Sequence, residues 1–363
     1  MAENMIVYKC PECGADIQFS AAEGKMKCRY CDGEFDIKEL EDYDKGHFKQ
    51  KPEEFNWKNF DERKGREDWS ADELNQLATY RCSHCGGEII GEGTTMATKC
   101  PYCDNPVVMG ESIDGLLRPD LIIPFKKTPD DVQEAFKRFM KGKLLLPSKF
   151  KKRNKPENLK GLYVPFWLFD CDSDGQADFT ATKVTSWRSG DYRYRKTDYY
   201  SVKRAGKMTF LDIPVDSSTK MDDSFMESIE PYNYRDIEKF NSAYLAGYMS
   251  DRYDVDVKDS IERANRRIRA STSEMLRSTV YGYNSVSTSS LSVQIKEGDI
   301  QYALLPVWMM NTEYKGKTYT IAMNGQTGKM VGELPIDYLR LVLYLLAAFP
   351  IIAAILTLLF GMM

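Results

Sequence analysis

Two copies of one cysteine pattern near the start of this chain constrain its fold more than any other feature. Cys10-Pro11-Glu12-Cys13 is followed, after fourteen residues, by Cys28-Arg29-Tyr30-Cys31. Cys82-Ser83-His84-Cys85 is followed, after another fourteen, by Cys100-Pro101-Tyr102-Cys103. The copies are offset by 72 residues, and more than cysteine repeats: Tyr8 maps to Tyr80, Gly14 to Gly86, Ile17 to Ile89, Lys27 to Lys99, Tyr30 to Tyr102 and Asp32 to Asp104. The pattern is an internal duplication of one small unit.

A unit of about 30 residues buries too little apolar surface to fold by itself. Four thiolates arranged tetrahedrally round Zn²⁺, with Zn–S near ~2.3 Å, supply what the core lacks. Metal binding contributes roughly 10–16 kcal/mol in small zinc domains. Each CxxC turn points two thiolates at one ion, and Gly14 and Gly86 can take the positive φ such a knuckle needs. The fourteen-residue gap suits a short hairpin that brings the second knuckle opposite the first. Two pairs of disulfides are the alternative, and paired CxxC at matched spacing argues for metal. The expected ligand sets are Cys10, Cys13, Cys28, Cys31 and Cys82, Cys85, Cys100, Cys103. With four cysteines each, neither site keeps an open position, so two structural Zn²⁺ are expected and no catalytic one. His84 lies inside a knuckle, where it either competes as a ligand or stays solvated.

The other end of the chain is as distinctive. From Leu341 to Met363 there are 23 residues without a charge. As a helix they span about 34 Å, against a hydrocarbon core of ~30 Å. Pro350 falls mid-span, which membrane helices tolerate. The run is read as a transmembrane tail anchor over 338–361, in contact with membrane lipid. Arg340 and Lys329 agree with the positive-inside rule. The first residues, MAENMIVYKCP, hold no apolar stretch of a secretory signal. The expected location is therefore the cell membrane, single-pass, with the bulk of the chain on the cytoplasmic side, where thiolate sites stay reduced.

The expected fold class is multidomain: two zinc ribbons of rubredoxin-like β knuckles, an α+β domain with a mainly antiparallel sheet, and one C-terminal transmembrane helix. The ribbons fall at 5–38 and 80–110. Between them, 39–79 is a charged linker with twelve acidic and seven basic residues. Its aromatics Phe55, Trp57, Phe60 and Trp69 dock on a ribbon, mark a partner-binding segment, or belong to a solvated spacer. The α+β domain covers 112–335. Leu121–Phe125 reads as a strand. Thr128-Pro129-Asp130-Asp131 then starts a helix to about Lys141, with Val132, Ala135, Phe136 and Phe139 on one face. Residues 162–215 alternate as antiparallel strands. Helices are expected over 236–253 and over 257–280, the latter with Val257, Ile261, Ala264, Ile268 and Met275 as its buried stripe. The last strands lie near 300–311 and 317–334, with Asn324-Gly325 in their turn. Tyr163-Val164-Pro165-Phe166-Trp167 echoes Leu304-Leu305-Pro306-Val307-Trp308, as if two related β units shared one sheet.

Three motifs fall short of a function. Asp170-Cys171-Asp172-Ser173-Asp174-Gly175 opens like a calcium loop, but the twelfth position is Ala181 rather than glutamate, and acids at alternate positions also mark the solvent face of a strand. Gly316-Lys317-Thr318 resembles the end of a phosphate-binding loop whose first glycine is missing, since position 311 is Asn. Cys171 is a lone thiol, and the two histidines, His47 and His84, are remote in sequence. No convergent catalytic set is visible, so no enzyme is read. The net charge of −4 argues against a dedicated nucleic-acid binder. One run stands apart: from Lys137 to Lys160 there are ten Lys or Arg against Glu157, with Phe136, Phe139 and Phe150 interleaved. Such a run meets RNA, an anionic leaflet or an acidic partner, or is a solvated face.

Taken together, several blocks resemble a bacterial, Firmicutes-type family of double zinc-ribbon, tail-anchored membrane proteins. They are the two cysteine sets, Leu117-Arg118-Pro119-Asp120, Ile123-Pro124-Phe125, Val164-Pro165-Phe166-Trp167, Met226-Glu227-Ser228-Ile229-Glu230-Pro231, Ala243–Tyr248 and Ala322–Lys329. Members are often described as TFIIB-type zinc ribbons or replication-restart helicases, and the missing phosphate-binding loop argues against the helicase. A Bacillus member is encoded beside phage-shock-protein-A-like and SPFH-domain proteins. The resemblance implies a scaffold that recruits such cytoplasmic partner proteins to the membrane in envelope stress. A membrane-tethered nucleic-acid-binding protein is the alternative, using the ribbons and the 137–160 run.

Overall fold

The computed structural model describes residues 10, 15, 17–20, 24–40, 52–57, 68–92, 99–110, 113 and 116–361, the side chains of 92 and 351–361 excepted. In chain order the strands are β1 (Ile17–Ser20), β2 (Lys25–Cys28), β3 (Glu34–Phe35), β4 (Glu54–Trp57), β5 (Leu77–Cys82), β6 (Glu88–Glu92), β7 (Val107–Met109), β8 (Leu121–Ile122), β9 (Lys160–Ser189), β10 (Tyr192–Asp216), β11 (Glu238–Lys239), β12 (Met249–Asp251), β13 (Ser285–Tyr314), β14 (Lys317–Asn324) and β15 (Met330–Gly332). The α-helices are α1 (Ala71–Gln76), α2 (Pro129–Met140), α3 (Ser148–Arg153), α4 (Asp223–Ile229), α5 (Val257–Ser278) and α6 (Tyr338–Gly361). The chain divides into two compact units, Met1–Lys58 with Cys171–Phe210 and Asn265–Gly298, and Asn59–Asp170 with Leu211–Ala264 and Asp299–Met363.

In the first unit, β1, β2 and β3 form a small antiparallel sheet over Cys10, Ile17, Cys28 and Leu40. Segment β4, from the stretch expected to be a charged linker, pairs in parallel with β13. Trp57 lies on Gly298, where a Cβ would fall 2.1 Å from its ring, and its indole N–H donates to Asn265 Oδ1 at 2.9 Å. Only glycine admits that close approach. The acids of the calcium-like motif sit in β9: Asp172 accepts from Thr209 at 2.7 Å and Asp174 pairs with Lys296 at 2.9 Å.

The second unit is built on a mixed sheet in the order β11-β8-β13-β9-β12-β6-β5-β7. β12 runs parallel to β9, and β8 runs parallel to β13. This corrects the expectation of a mainly antiparallel sheet. The central strands are buried on both faces over Leu162–Phe169 and Tyr302–Met310, the pattern that parallel pairing requires. The two apolar echoes lie in these neighbouring strands. Alternate residues divide the core: Ala303, Leu305, Val307 and Met309 pack with Val164, Phe166 and Leu168, while Trp308 and Met310 pack with Val132, Phe136, Met140 and Phe150. The helix that supplies Val132 and Phe136 starts where expected, at a capping box between Thr128 and Asp131 with Pro129 in its first turn.

Two local readings differ, and the Gly316 motif proves to be a turn. Residues 236–253 hold 3₁₀ turns at Tyr234–Asp236 and Ser242–Leu245 and the strands β11 and β12, not a helix. Asn233 and Asn241 cap the turns by accepting from Arg235 N and Ala243 N, and Gly247 takes φ +79°. In α5, Leu276 is buried and Met275 is exposed. Gly316-Lys317-Thr318 is a hairpin: Lys315 and Gly316 have φ of 54° and 73°, the mirror-image turn that joins twisted strands. Among the linker aromatics, Trp69 donates to Leu116 O at 3.0 Å and meets Phe240 edge-on. Phe60 lies outside the described residues.

The membrane anchor is also corrected. Helix α6 forms, and its first turn is held by the rest of the unit. Asp337 N donates to Leu145 O at 2.8 Å, and Arg340 donates to Leu146 O at 2.9 Å and to Ser148. Among the described residues, no helix is long and apolar enough to cross a membrane. The single-pass, cytoplasm-facing location drawn from that run falls with it.

The turn after β14 is a buried polar anchor. Asn324 Nδ2 donates to Ile229 O at 3.1 Å and Pro231 O at 3.4 Å, while its Oδ1 accepts from Gln326 N and Thr327 N, both at 2.9 Å. Gln326 continues the network to Asp236 at 2.7 Å. Asn324→Ala leaves several buried groups without partners. It is expected to lower the unfolding free energy by about 2–4 kcal/mol in urea titrations. A loss below ~0.5 kcal/mol would show that the turn anchors nothing.

Candidate metal centres

The two cysteine sets are placed by one backbone device used repeatedly. In each described knuckle the first cysteine N–H donates five residues ahead: Cys10 to Ala15 O (2.8 Å), Cys28 to Gly33 O (2.9 Å), Cys82 to Gly87 O (2.9 Å) and Cys100 to Asn105 O (2.8 Å). Its carbonyl accepts from the residue four ahead: Asp32 N on Cys28 O (3.0 Å), Gly86 N on Cys82 O (2.9 Å) and Asp104 N on Cys100 O (3.0 Å). That fourth residue turns left-handed, with φ of 57° at Asp32, 70° at Gly86 and 57° at Asp104. Glycine was the expected residue for this role. Aspartate is one of the few others that tolerate the left-handed region. Its recurrence at the same offset in both copies is the sequence signal that would have found it.

The thiols converge. Cys82, Cys85, Cys100 and Cys103 bring all four sulfurs within 4.8 Å of one another. Cys82 Sγ and Cys103 Sγ stand 3.4 Å apart, and Cys85 Sγ and Cys100 Sγ 3.6 Å. Sulfurs at the corners of a tetrahedron with ~2.3 Å metal bonds stand about 3.8 Å apart, whereas a disulfide needs ~2.05 Å. The set therefore fits a metal ion and not two disulfides. In the first set, Cys10, Cys28 and Cys31 converge in the same way, with Cys10 Sγ and Cys31 Sγ 3.4 Å apart. Cys13 lies outside the described residues. Each group can thus hold a metal. His84 is exposed and stands apart from the four sulfurs, and Cys171 is buried in β9.

The surroundings of the second cluster set its protonation. Burial pushes the Cys82 thiol up, but backbone N–H groups of Cys85 and His84 and contacts with the Cys103 and Cys85 thiols outweigh it and bring it down to about 7. Burial holds Cys85 and Cys100 above the usual thiol range. A divalent cation replaces those protons and removes the repulsion of four crowded thiolates. Lys160 donates to Cys100 O at 3.3 Å and pairs with Asp104 at 3.1 Å, and Lys99 pairs with Asp104 at 3.2 Å.

This cluster is part of the large sheet. Its knuckles close β5, β6 and β7, and Asp251 of β12 sits in register with Ile89 of β6. Tyr102, inside the second knuckle, is buried, and its carbonyl accepts from Asn311 Nδ2 at 2.6 Å. Its phenol faces Asp251, whose Oδ2 accepts from Ser218 Oγ at 2.6 Å. Asp251 lies 149 positions from Tyr102, and nothing in the sequence joins them. In the 137–160 run Phe136 and Phe150 are buried, Phe139 is half-buried with Lys143 over its ring at 5.3 Å, and Leu144 is exposed.

The chain is similar to the Bacillus subtilis (strain 168) protein YdjG, an uncharacterized protein, at 33% identity over 333 residues, which are 92% of this chain and 91% of that one. No family model and no solved structure matches the chain.

Burial pushes the Asp251 carboxyl up and the nearby Asp254 charge adds to it. The hydrogen bond from Ser218 and the nearby Tyr102 phenol pull back, leaving it at about 7. The folded chain holds this proton more tightly than the unfolded one. The contribution is complete below about pH 4 and is lost as pH rises through 7. Asp251→Asn removes that loss. Relative to the parent, the variant is expected to gain on the order of 1–3 kcal/mol at pH 8 and almost nothing at pH 4. Denaturation curves that shift equally at both pH values would show that the carboxyl does not titrate in the folded state.

Proposed function

The chain belongs to the same family as this Bacillus protein, and we propose that it is an adaptor stapled by two structural zinc ions, which holds partner proteins and converts no substrate. One observation carries this reading. The duplicated tyrosines have opposite fates: Tyr102 is 7% exposed and packs into its own unit, while Tyr30 is 84% exposed. The second copy uses this face of the knuckle as an interface. The first copy offers the same face to solvent, beside Cys31. A large exposed aromatic on a metal-rigidified turn is a typical anchor for a protein partner, because little side-chain or backbone entropy remains to be lost.

The chemistry of the sites agrees. Four thiolates saturate zinc and leave no position for water or substrate. The motif-like segments have structural roles, in a strand at 170–175 and in a hairpin turn at 315–318. Partners of the SPFH-domain and phage-shock-protein-A kind, implied by the resemblance of the sequence, are the first to test.

Purified chain is expected to hold two zinc ions, and Cys28→Ser or Cys100→Ser to remove about one each, by elemental analysis. Tyr30→Ser is expected to leave zinc content and melting unchanged. It should weaken capture of an SPFH-domain or phage-shock-protein-A-like partner by about tenfold, near 1.4 kcal/mol. If neither partner binds the parent, or Tyr30→Ser and Cys28→Ser both bind it fully, the adaptor reading fails.

A further inference from the structure

Strands β9 and β10 run on beyond the strand that flanks them. Thr180 and Thr182 of β9 meet Ser289 and Ser285 of β13 at 2.7 and 2.6 Å, and Val184 N donates to Asn284 Oδ1 at 2.6 Å. There the third strand ends. Residues 185–196, turning at Gly190-Asp191, stand as a two-stranded ribbon exposed on both faces.

An isolated hairpin is marginal by itself, and one cross-strand aromatic pair helps to steady it. Trp187 stacks on Tyr194, with centroids 5.5 Å apart and planes 12° from parallel. Even so, Trp187, Tyr192, Tyr194 and Tyr199 remain 49%, 72%, 45% and 73% exposed. Strand alternation places Tyr192 and Lys196 on the face of that stacked pair and Arg188, Arg193 and Arg195 on the other. From Lys183 to Lys196 there are five cations against Asp191, in a chain whose net charge is −4. Among the described residues, Arg193 and Arg195 make no side-chain hydrogen bond or ion pair. Charge on an edge strand guards against aggregation and the stacked pair steadies the hairpin, but neither calls for a third ring, Tyr192, on the same open face at 72% exposure.

We propose that this ribbon binds single-stranded nucleic acid. Bases stack on the Trp187–Tyr194 face, extended by Tyr192, and every base offers a ring for that contact. A two-stranded ribbon is only ~5 Å across, so the arginine side chains reach round either edge to the phosphates, which guanidinium recognises in bidentate fashion. An acidic peptide would use the arginines and leave the aromatic face empty. An anionic bilayer would meet Asp191 first, at the apex, with no aliphatic side chain beside it.

The test is fluorescence anisotropy of the full chain with labelled oligonucleotides of about 12 nucleotides. Single-stranded RNA, single-stranded DNA and duplex DNA are compared with phosphatidylglycerol vesicles. Single strands are expected to bind best, with affinity falling as salt rises. A preference between RNA and DNA identifies the source, and either supports the proposal. Trp187→Ala is expected to weaken binding about tenfold and Trp187→Phe, which keeps a stacking ring, to restore most of it. Arg193→Ala with Arg195→Ala should flatten the salt dependence by about one to two phosphates. Zinc content and circular dichroism report whether each variant is folded. No binding at ~50 mM salt, binding to vesicles only, duplex bound as tightly as single strands, or indifference to both Trp187 and the arginines would overturn the proposal.

Discussion

Four sulfurs held within 4.8 Å of one another are the constraint on which the second unit depends. Deprotonated and without a cation, such a group repels itself. Protonated, it is a small polar void beside a core. A tetrahedral ion resolves both problems. The strands it closes are short, three residues in β7 and five in β6, and a bound ion would tie them together at one end. β7 is the edge of the sheet, but β6 lies within it. β6 pairs with β12, which pairs with β9, the strand beside β13 at the centre of the sheet. Order therefore passes from the metal site into the core through backbone ladders, and Tyr102 and Asn311 add a side-chain link.

The duplication shows how one device supports two ends. Both copies keep the knuckle, with its left-handed aspartate and its cysteine N–H donors. They differ in what lies around it. The second copy has Asp251, Ser218 and Asn311 to receive Tyr102. The first copy has a three-stranded sheet and a core of four buried residues, which is too small to cover Tyr30. A metal-bound turn would be rigid whether or not it is buried, so the uncovered copy would keep a defined shape on the small core of Cys10, Ile17, Cys28 and Leu40.

Local chemistry was legible in the sequence and non-local pairing was not. The CxxC spacing located the knuckles because the ligands are close in the chain. The Thr128 capping box located α2 for the same reason. The parallel pairing of β8 with β13 joins residues more than 180 positions apart, and no turn residue specifies it. Residues 236–253 have the apolar spacing of a helix, yet asparagine side chains compete for the backbone N–H groups and break it into turns. The apolar run after Arg340 was read from its length, its lack of charge and its flanking cations, none of which reports the hydrogen bonds that fix its first turn to Leu145 and Leu146. The Trp187 ribbon was read as part of an alternating sheet. Only the early end of β13 shows that its tip has no third strand and no covered face.

The two exposed aromatic sites differ in the force each would use, and that difference separates them. Tyr30 offers a ring on a turn whose neighbouring charges Arg29, Asp32 and Glu34 are of mixed sign, so a contact there rests mainly on apolar burial and changes little with salt. The ribbon at 183–196 gathers cations, so a polyanion there is attracted over roughly a Debye length, ~10 Å at 0.1 M salt, and released as salt rises. If both proposals hold, a protein and a single strand would be bound by different forces. Raising salt then strips the strand first and leaves the protein in place.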